Sequence, residues 1–209
     1  MDITLQASLF DGDGDIGLLP LAGLRRTELG LGAWIDVLTG WLTGADELFE
    51  HLVAHVPWHG EQRRMYDRVV DVPRLLAHYG ADDPLPHPVL TRARARLSEH
   101  YAAELGEGFR TAGLCLYRDG WDSVAWHGDR IGRGAAEDTM VAIVSVGEPR
   151  VLALRPRQGH GRAVRRLLGH GDLLVMGGSC QRTWDHAIPK TARPVGPRIS
   201  IQFRPSGVA

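Results

Sequence analysis

The chain is 209 residues long, 44% hydrophobic and 23% charged, with a formal net charge of −1. That is an ordinary globular composition, and a chain of this length buries roughly 70% of its unfolded surface, so it needs no disulfide or structural metal merely to fold. A charge so close to zero excludes a globally basic nucleic-acid binder, although arginines gathered on one face would still make a local one.

Residues 1–20 carry Asp11, Asp13 and Asp15 alternating with glycines. A calcium loop of the EF-hand type needs glycine at its sixth position and glutamate at its twelfth. Ile16 and Ala22 stand there, so the segment reads as a polar turn. Residues 44–54 have the spacing of an amphipathic helix, with Asp46 in its N-terminal region. Between Val56 and Tyr79, Trp58, Tyr66, Val70 and Val72 stand among arginines, which predicts short strands and loops. Pro84, Pro86 and Pro88 make 81–88 a stiff connector. Leu90, Leu97 and Leu105 predict a second helix over 88–105, with Arg92, Arg94 and Arg96 in its middle.

From residue 110 the period changes to two. Runs at about 112–118, 122–127, 140–146, 150–155, 164–168, 172–176, 179–187 and 197–204 are short and punctuated by Gly, Pro and Asp. They predict a mainly β (α+β) fold: a double-stranded β-helix, or jelly roll, with the two helices packed on one outer face. One domain is expected over 1–209, with an N-terminal extension to about 108 and the jelly-roll core from about 109. No stretch approaches ~18 apolar residues, so no membrane span is expected, and no signal peptide either. Cys115 and Cys180 form no CxxC pair and are expected as reduced thiols of a cytoplasmic protein. A monomer is expected.

Trp126-His127-Gly128-Asp129 ends one of these runs. Residues two apart on an extended chain point to the same side, so His127 and Asp129 can converge on one ion. A third ligand must come from elsewhere, and His160, His170 and His186 are candidates. His160 sits in a Gly-rich loop tip and His170 in a turn. His186 lies in a strand-like run, where a rigid ligand is useful. Two imidazoles and one carboxylate leave open positions on an octahedral ion, the facial triad of non-heme Fe(II) oxygenases.

The last run alternates cleanly. Ile199, Ile201 and Phe203 take one face, and Arg198, Ser200, Gln202 and Arg204 the other. On an open surface this is an ordinary amphipathic strand. Inside a barrel, buried guanidiniums need anions, and a dicarboxylate suits the bidentate geometry of arginine.

His127-Gly128-Asp129, the distal His186 and the Arg198…Arg204 strand together resemble the AlkB family of Fe(II)/2-oxoglutarate dioxygenases. Similar stretches are Leu116–Gly120, Gly171–Gly178 and His186–Lys190. The resemblance covers roughly 110–205, and more loosely 55–80. It implies that His127, Asp129 and His186 bind Fe(II), and that Arg198 and Tyr117 hold the distal carboxylate of 2-oxoglutarate. It implies that Arg204 sits near the metal end of that cosubstrate, and that O2 completes the reaction. Family members often carry asparagines two residues before the tyrosine and two after the first arginine. Here those cosubstrate-site positions are Cys115 and Ser200. The acidic residue often found four positions after the first histidine is Ile131, with Glu137 and Asp138 as candidate substitutes.

The resemblance also implies a nucleotide-gripping lid before the barrel, between Trp58 and Tyr79. Trp58 and Tyr66 can stack on a flipped base, and Arg63, Arg64, Arg68 and Arg74 can meet phosphates. A second cluster, Arg150, Arg155, Arg157, Arg162, Arg165 and Arg166, can track a strand backbone or form a solvated hairpin. The expected function is oxidative demethylation of alkylated DNA bases, by hydroxylation of the N-alkyl carbon and aldehyde release. Alternatives are a dioxygenase of the same family acting on RNA or a small molecule, and a cupin-like metal- or nucleic-acid-binding module.

Overall fold

The structure, a computed structural model, describes residues 16–65, 68–129, 132–158 and 161–208. Tyr66, Ile131, His160 and the Asp11–Asp15 turn lie outside the described residues, as do the side chains of Arg63, Arg64 and Arg68. The N-terminal part supplies β1 (Gly17–Leu18), β2 (Arg25–Gly30), β3 (Ala33–Leu38), β4 (Leu42–Thr43), α1 (Ala45–His55), β5 (His59–Met65), β6 (Arg68–Tyr79), α2 (Pro88–His100) and α3 (Ala102–Leu105). The rest supplies β7 (Thr111–Tyr117), β8 (Val124–His127), β9 (Val141–Gly147), β10 (Arg150–Pro156), β11 (Val164–Leu168), β12 (Asp172–Gly178), α4 (Cys180–Thr183), β13 (Trp184–Ile188) and β14 (Arg198–Arg204).

Strands β7 to β14 divide between two facing sheets, four in each, which is the jelly roll. The minor sheet has the order β11-β10-β13-β8. In the major sheet β12, β9, β14 and β7 lie side by side, extended by β3 and β2 at one end and by β6 and β5 at the other. Two apolar layers result. Leu48 and Leu52 of α1, and Leu90, Ala93 and Leu97 of α2, pack with Ile199, Ile201 and Phe203 on the outer face of the major sheet. Ile143, Leu152, Leu154, Met176, Trp184 and Ile188 fill part of the space between the sheets. The helices thus screen one side of β14 and leave its other side for the barrel interior.

Four local expectations change. The β2–β3 hairpin was not anticipated: β2 is a largely exposed edge strand, and β3 hides Asp36 among apolar residues. Asp36 is accommodated there because Arg26 grips both its oxygens and the Tyr101 hydroxyl donates to one at 2.9 Å. β5 and β6 pair along their length as one long antiparallel ladder rather than forming separate short strands. The second helix breaks at the buried Tyr101, whose φ and ψ of −97° and 7° separate α2 from α3. The 179–187 run is not all strand, because 180–183 close a helical turn before β13. Trp34 needs the unusual close approach of Gly177 on β12, where a Cβ would fall 2.2 Å from the indole.

Candidate functional site

His127 is the last residue of β8, and His186 is the middle residue of β13. The two strands pair with these residues directly opposite, and the ring centroids lie 4.2 Å apart. Asp129 follows two residues later. One donor atom from each of His127, Asp129 and His186 lies within 4.8 Å of the others. His170 is not part of this group: its Nδ1 accepts from the Gly147 amide at 2.8 Å, at the far end of the major sheet.

The supporting bonds fix what each donor presents. His127 Nδ1 sits 2.8 Å from the Ala125 carbonyl, which only accepts, so Nδ1 carries the proton and Nε2 keeps its lone pair. Asp129 receives a bond from Arg204 Nε to Oδ2 at 2.8 Å, and its own amide donates to Gln181 Oε1 at 3.0 Å. Burial alone would raise the Asp129 carboxyl, but Arg204 and then the two imidazoles outweigh it and bring it down to about 2. Burial, with His127 beside it, lowers His186 to about 3, so its imidazole stays neutral across the ordinary range. Burial, and to a lesser degree the nearby Asp129, push the Cys180 thiol up to about 12, so it stays protonated beside this group.

Arg198, Ser200, Gln202 and Arg204 all line the same cavity of about 650 Å³ as the three donors. Arg198 is fully buried; its Nε donates to Ser145 Oγ at 2.9 Å, and among the described residues neither terminal nitrogen meets a partner in hydrogen-bonding geometry. Tyr117 stands opposite it on β7, with the guanidinium carbon 5.4 Å from the ring centroid. Cys115 and Ser200 face each other across the same pair of strands and line the cavity. A buried guanidinium with two idle nitrogens carries a desolvation penalty of about 1–3 kcal/mol per unmet group. A carboxylate of a bound ligand removes it.

The substrate-side expectations divide. Arg74 of β6 lines the cavity, and its Nη1 donates to the Ser123 carbonyl at 3.2 Å. Trp58 does not line it. Its indole packs against the helical layer and donates to the Leu52 carbonyl at 3.2 Å, so its ring is committed to the core. Arg150 likewise is not a phosphate contact, because it is buried and donates to the carbonyls of Asp119, Asp122 and Pro189. Arg155 and Arg157 both approach Asp185, and Arg155 also lies over the Trp126 ring. Glu137 and Asp138 are held by Arg133 and Arg182 and do not line the cavity. The sequence reading missed Trp126, Ser145, Gln181 and Gln202. Only the last carried a signal, its place on the arginine face of β14.

Comparison with known proteins decides the family. The 2OG-Fe(II) oxygenase superfamily profile matches residues 38–204. The human alpha-ketoglutarate-dependent dioxygenase alkB homolog 3 is 32% identical over 216 residues, covering 93% of this chain and 70% of that protein. The chain belongs to the AlkB family of 2OG-Fe(II) oxygenases. The bovine alkB homolog 3 is 33% identical over 78% of this chain, which spans only 62% of that relative's length. The human DNA oxidative demethylase ALKBH2 is 30% identical, over 77% of this chain and 68% of that protein. The solved structure of OsALKBH1 superposes with a TM-score of 0.56 at 13% identity, covering 86% of this chain and 99% of that one, which supports the jelly roll. An AlkB-family chain belongs to a superfamily that works with Fe(II) and 2-oxoglutarate. Among the described residues, no helix is long and apolar enough to cross a membrane.

Proposed function

We propose that this AlkB-family chain is an Fe(II)/2-oxoglutarate-dependent oxidative demethylase of alkylated nucleobases in DNA. The observation that carries the proposal is Arg198: a fully buried guanidinium whose two terminal nitrogens make no hydrogen bond among the described residues, in one cavity with a two-histidine, one-carboxylate donor set. That combination fits a metal and a dicarboxylate together. A cupin-like metal binder has no use for the second part.

His127 Nε2, Asp129 Oδ1 and His186 would hold Fe(II), a set that leaves positions open for cosubstrate and oxygen. An Fe(II) ion held there would let O2, with 2-oxoglutarate as co-reductant, hydroxylate an N-alkyl carbon, which would then leave as an aldehyde. The chain's own part is binding and orientation. Arg198, backed by Tyr117, takes the distal carboxylate. Burial pushes the Tyr117 phenol up, so it stays a hydroxyl donor. Arg204 keeps Asp129 ionised and turned so that Oδ1 faces His127. Ile143, Leu152 and Ile188 line the cavity with apolar surface that limits water.

A cavity of about 650 Å³ is in the range of ligand pockets, with room for a flipped base beside the cosubstrate. Trp126 and Arg74 line its wall and would meet that base and its strand. The human relative named DNA oxidative demethylase supports DNA as the substrate class. The test is incubation with Fe(II), 2-oxoglutarate and a panel of methylated oligonucleotides. The expected result is succinate, with loss of one methylene from DNA. Turnover confined to RNA overturns the DNA assignment, and no succinate with any substrate overturns the oxygenase.

A further inference from the structure

Gln202 links Arg204 to Ser200 and Cys115 on the cavity wall. Its Oε1 accepts from Arg204 Nη2 at 3.0 Å. Its Nε2 donates to Ser200 Oγ at 3.0 Å and reaches Cys115 Sγ at 3.5 Å. The amide orientation is chemically determined, because arginine has only donors and so requires the oxygen. The nitrogen end must then face Ser200 and Cys115.

The fold makes room for this side chain. Across the β7–β14 pair Gln202 stands opposite Gly113. A Cβ at Gly113 would lie 3.1 Å from Arg204 Nη1 and 3.6 Å from Gln202 Oε1. A side chain there would crowd the Arg204–Gln202 contact.

Ser200 and Cys115 stand at the two positions where the family resemblance leads one to expect asparagine. Neither a hydroxyl nor a thiol offers a carboxamide's pair of N–H donors. The carboxamide of Gln202 lies within bonding distance of both. Arg204 in turn holds Asp129, so Gln202 is the second link of a chain Gln202–Arg204–Asp129 that ends at the metal donors.

We propose that Gln202 is a positioning residue for the cosubstrate: in this chain it replaces, from one place on β14, the amides missing at 115 and 200. It fixes the Arg204 guanidinium through Oε1 and, with its N–H groups on Ser200 Oγ and Cys115 Sγ, orders the polar surface between the two arginines. The inference rests on the oxygenase reading, and the experiment separates the two.

The full chain is loaded with Fe(II) without oxygen and titrated with 2-oxoglutarate, and the visible charge-transfer absorption of the chelate gives the dissociation constant. For Gln202→Leu the constant rises by about tenfold, the effect of one buried polar partner lost. Gln202→Glu keeps the acceptor for Arg204 but sets a negative charge against an anionic ligand, and it weakens binding too. Adding Cys115→Asn and Ser200→Asn to Gln202→Leu restores binding to within about threefold, since the amide is returned next to its lost place. A merely structural role for Gln202 would not show that rescue. Melting temperatures of all variants are measured in parallel. If the wild type gives no such absorption, the oxygenase reading falls, and this inference with it. If the wild type binds and a folded Gln202→Leu binds equally well, or the amides at 115 and 200 fail to rescue, the role of Gln202 alone is overturned. An unfolded Gln202→Leu passes the decision to Gln202→Glu: unchanged binding there overturns the role, and weakened binding supports it.

Discussion

Arg204 Nε donates to Asp129 Oδ2 at 2.8 Å, while Oδ1 of the same carboxylate lies 3.6 Å from His127 Nε2. One oxygen is thus committed to a guanidinium, and the other is turned toward the imidazoles. The carboxylate is nearly buried and would be protonated more easily without its partner.

Replacing Arg204 by leucine therefore has two effects. It leaves a buried carboxylate unpaired, which destabilises the metal-free protein by about 3 kcal/mol. It also frees Oδ2, so metal affinity falls, by about tenfold or more on loss of a charge-assisted bond. Urea unfolding and calorimetric metal titration read the two separately.

Arg198 behaves in the opposite way. Arg198→Met removes a buried cation whose terminal nitrogens make no hydrogen bond among the described residues, so the metal-free protein becomes more stable, by about 1–3 kcal/mol. The same change weakens 2-oxoglutarate binding by roughly a hundredfold, because two charge-assisted bonds are lost. Melting temperature and cosubstrate titration should move in opposite directions. A stability loss with unchanged binding contradicts the assignment.

The pH dependence of the metal-free protein follows from His186. Its folded pKa, about 3, is below the unfolded value of 6.5. The folded state therefore binds this proton less readily than the unfolded chain. Stability is complete above about 6.5 and declines as pH falls toward 3, by roughly 3 kcal/mol at about pH 4. Asp129, lowered to about 2 from 3.8, adds a further decline below 3.8. Unfolding free energies measured across this range should fall steeply for the wild type, and less steeply for His186→Gln.

Much of this site was legible in the sequence, and for a physical reason. The HxD pair and the alternation of β14 depend only on the two-residue period of an extended chain. In the sequence His186 is one of three candidate histidines, favoured for its strand-like run and by the family resemblance; its facing of His127 is a matter of cross-strand register. What depends on cross-strand register was not legible. Gln181 reaches Asp129 across 52 residues, and Arg198 reaches Ser145 across 53. Aromatic residues misled for a related reason: composition does not say which way a ring points. Trp58 among arginines packs inward, whereas Trp126, read only as part of the HxD segment, is 38% exposed at the cavity.

That exposure gives a prediction for the substrate side. Trp126→Ala removes an aromatic ring at the cavity wall, whose face away from Arg155 is the one left for a base. Base stacking on such a ring contributes about 1–3 kcal/mol. The KM for a methylated oligonucleotide should rise by roughly tenfold, with oligonucleotide-independent succinate formation unchanged. Steady-state assays with and without DNA check this.

The central claim is that His127, Asp129 and His186 hold the metal that consumes 2-oxoglutarate. Its most direct test is succinate formation by the wild type and by Asp129→Ala, each with and without added Fe(II). Succinate that requires Fe(II) and disappears in a folded Asp129→Ala is the predicted result. Succinate retained in the variant, or formed by the metal-free wild type, would contradict it.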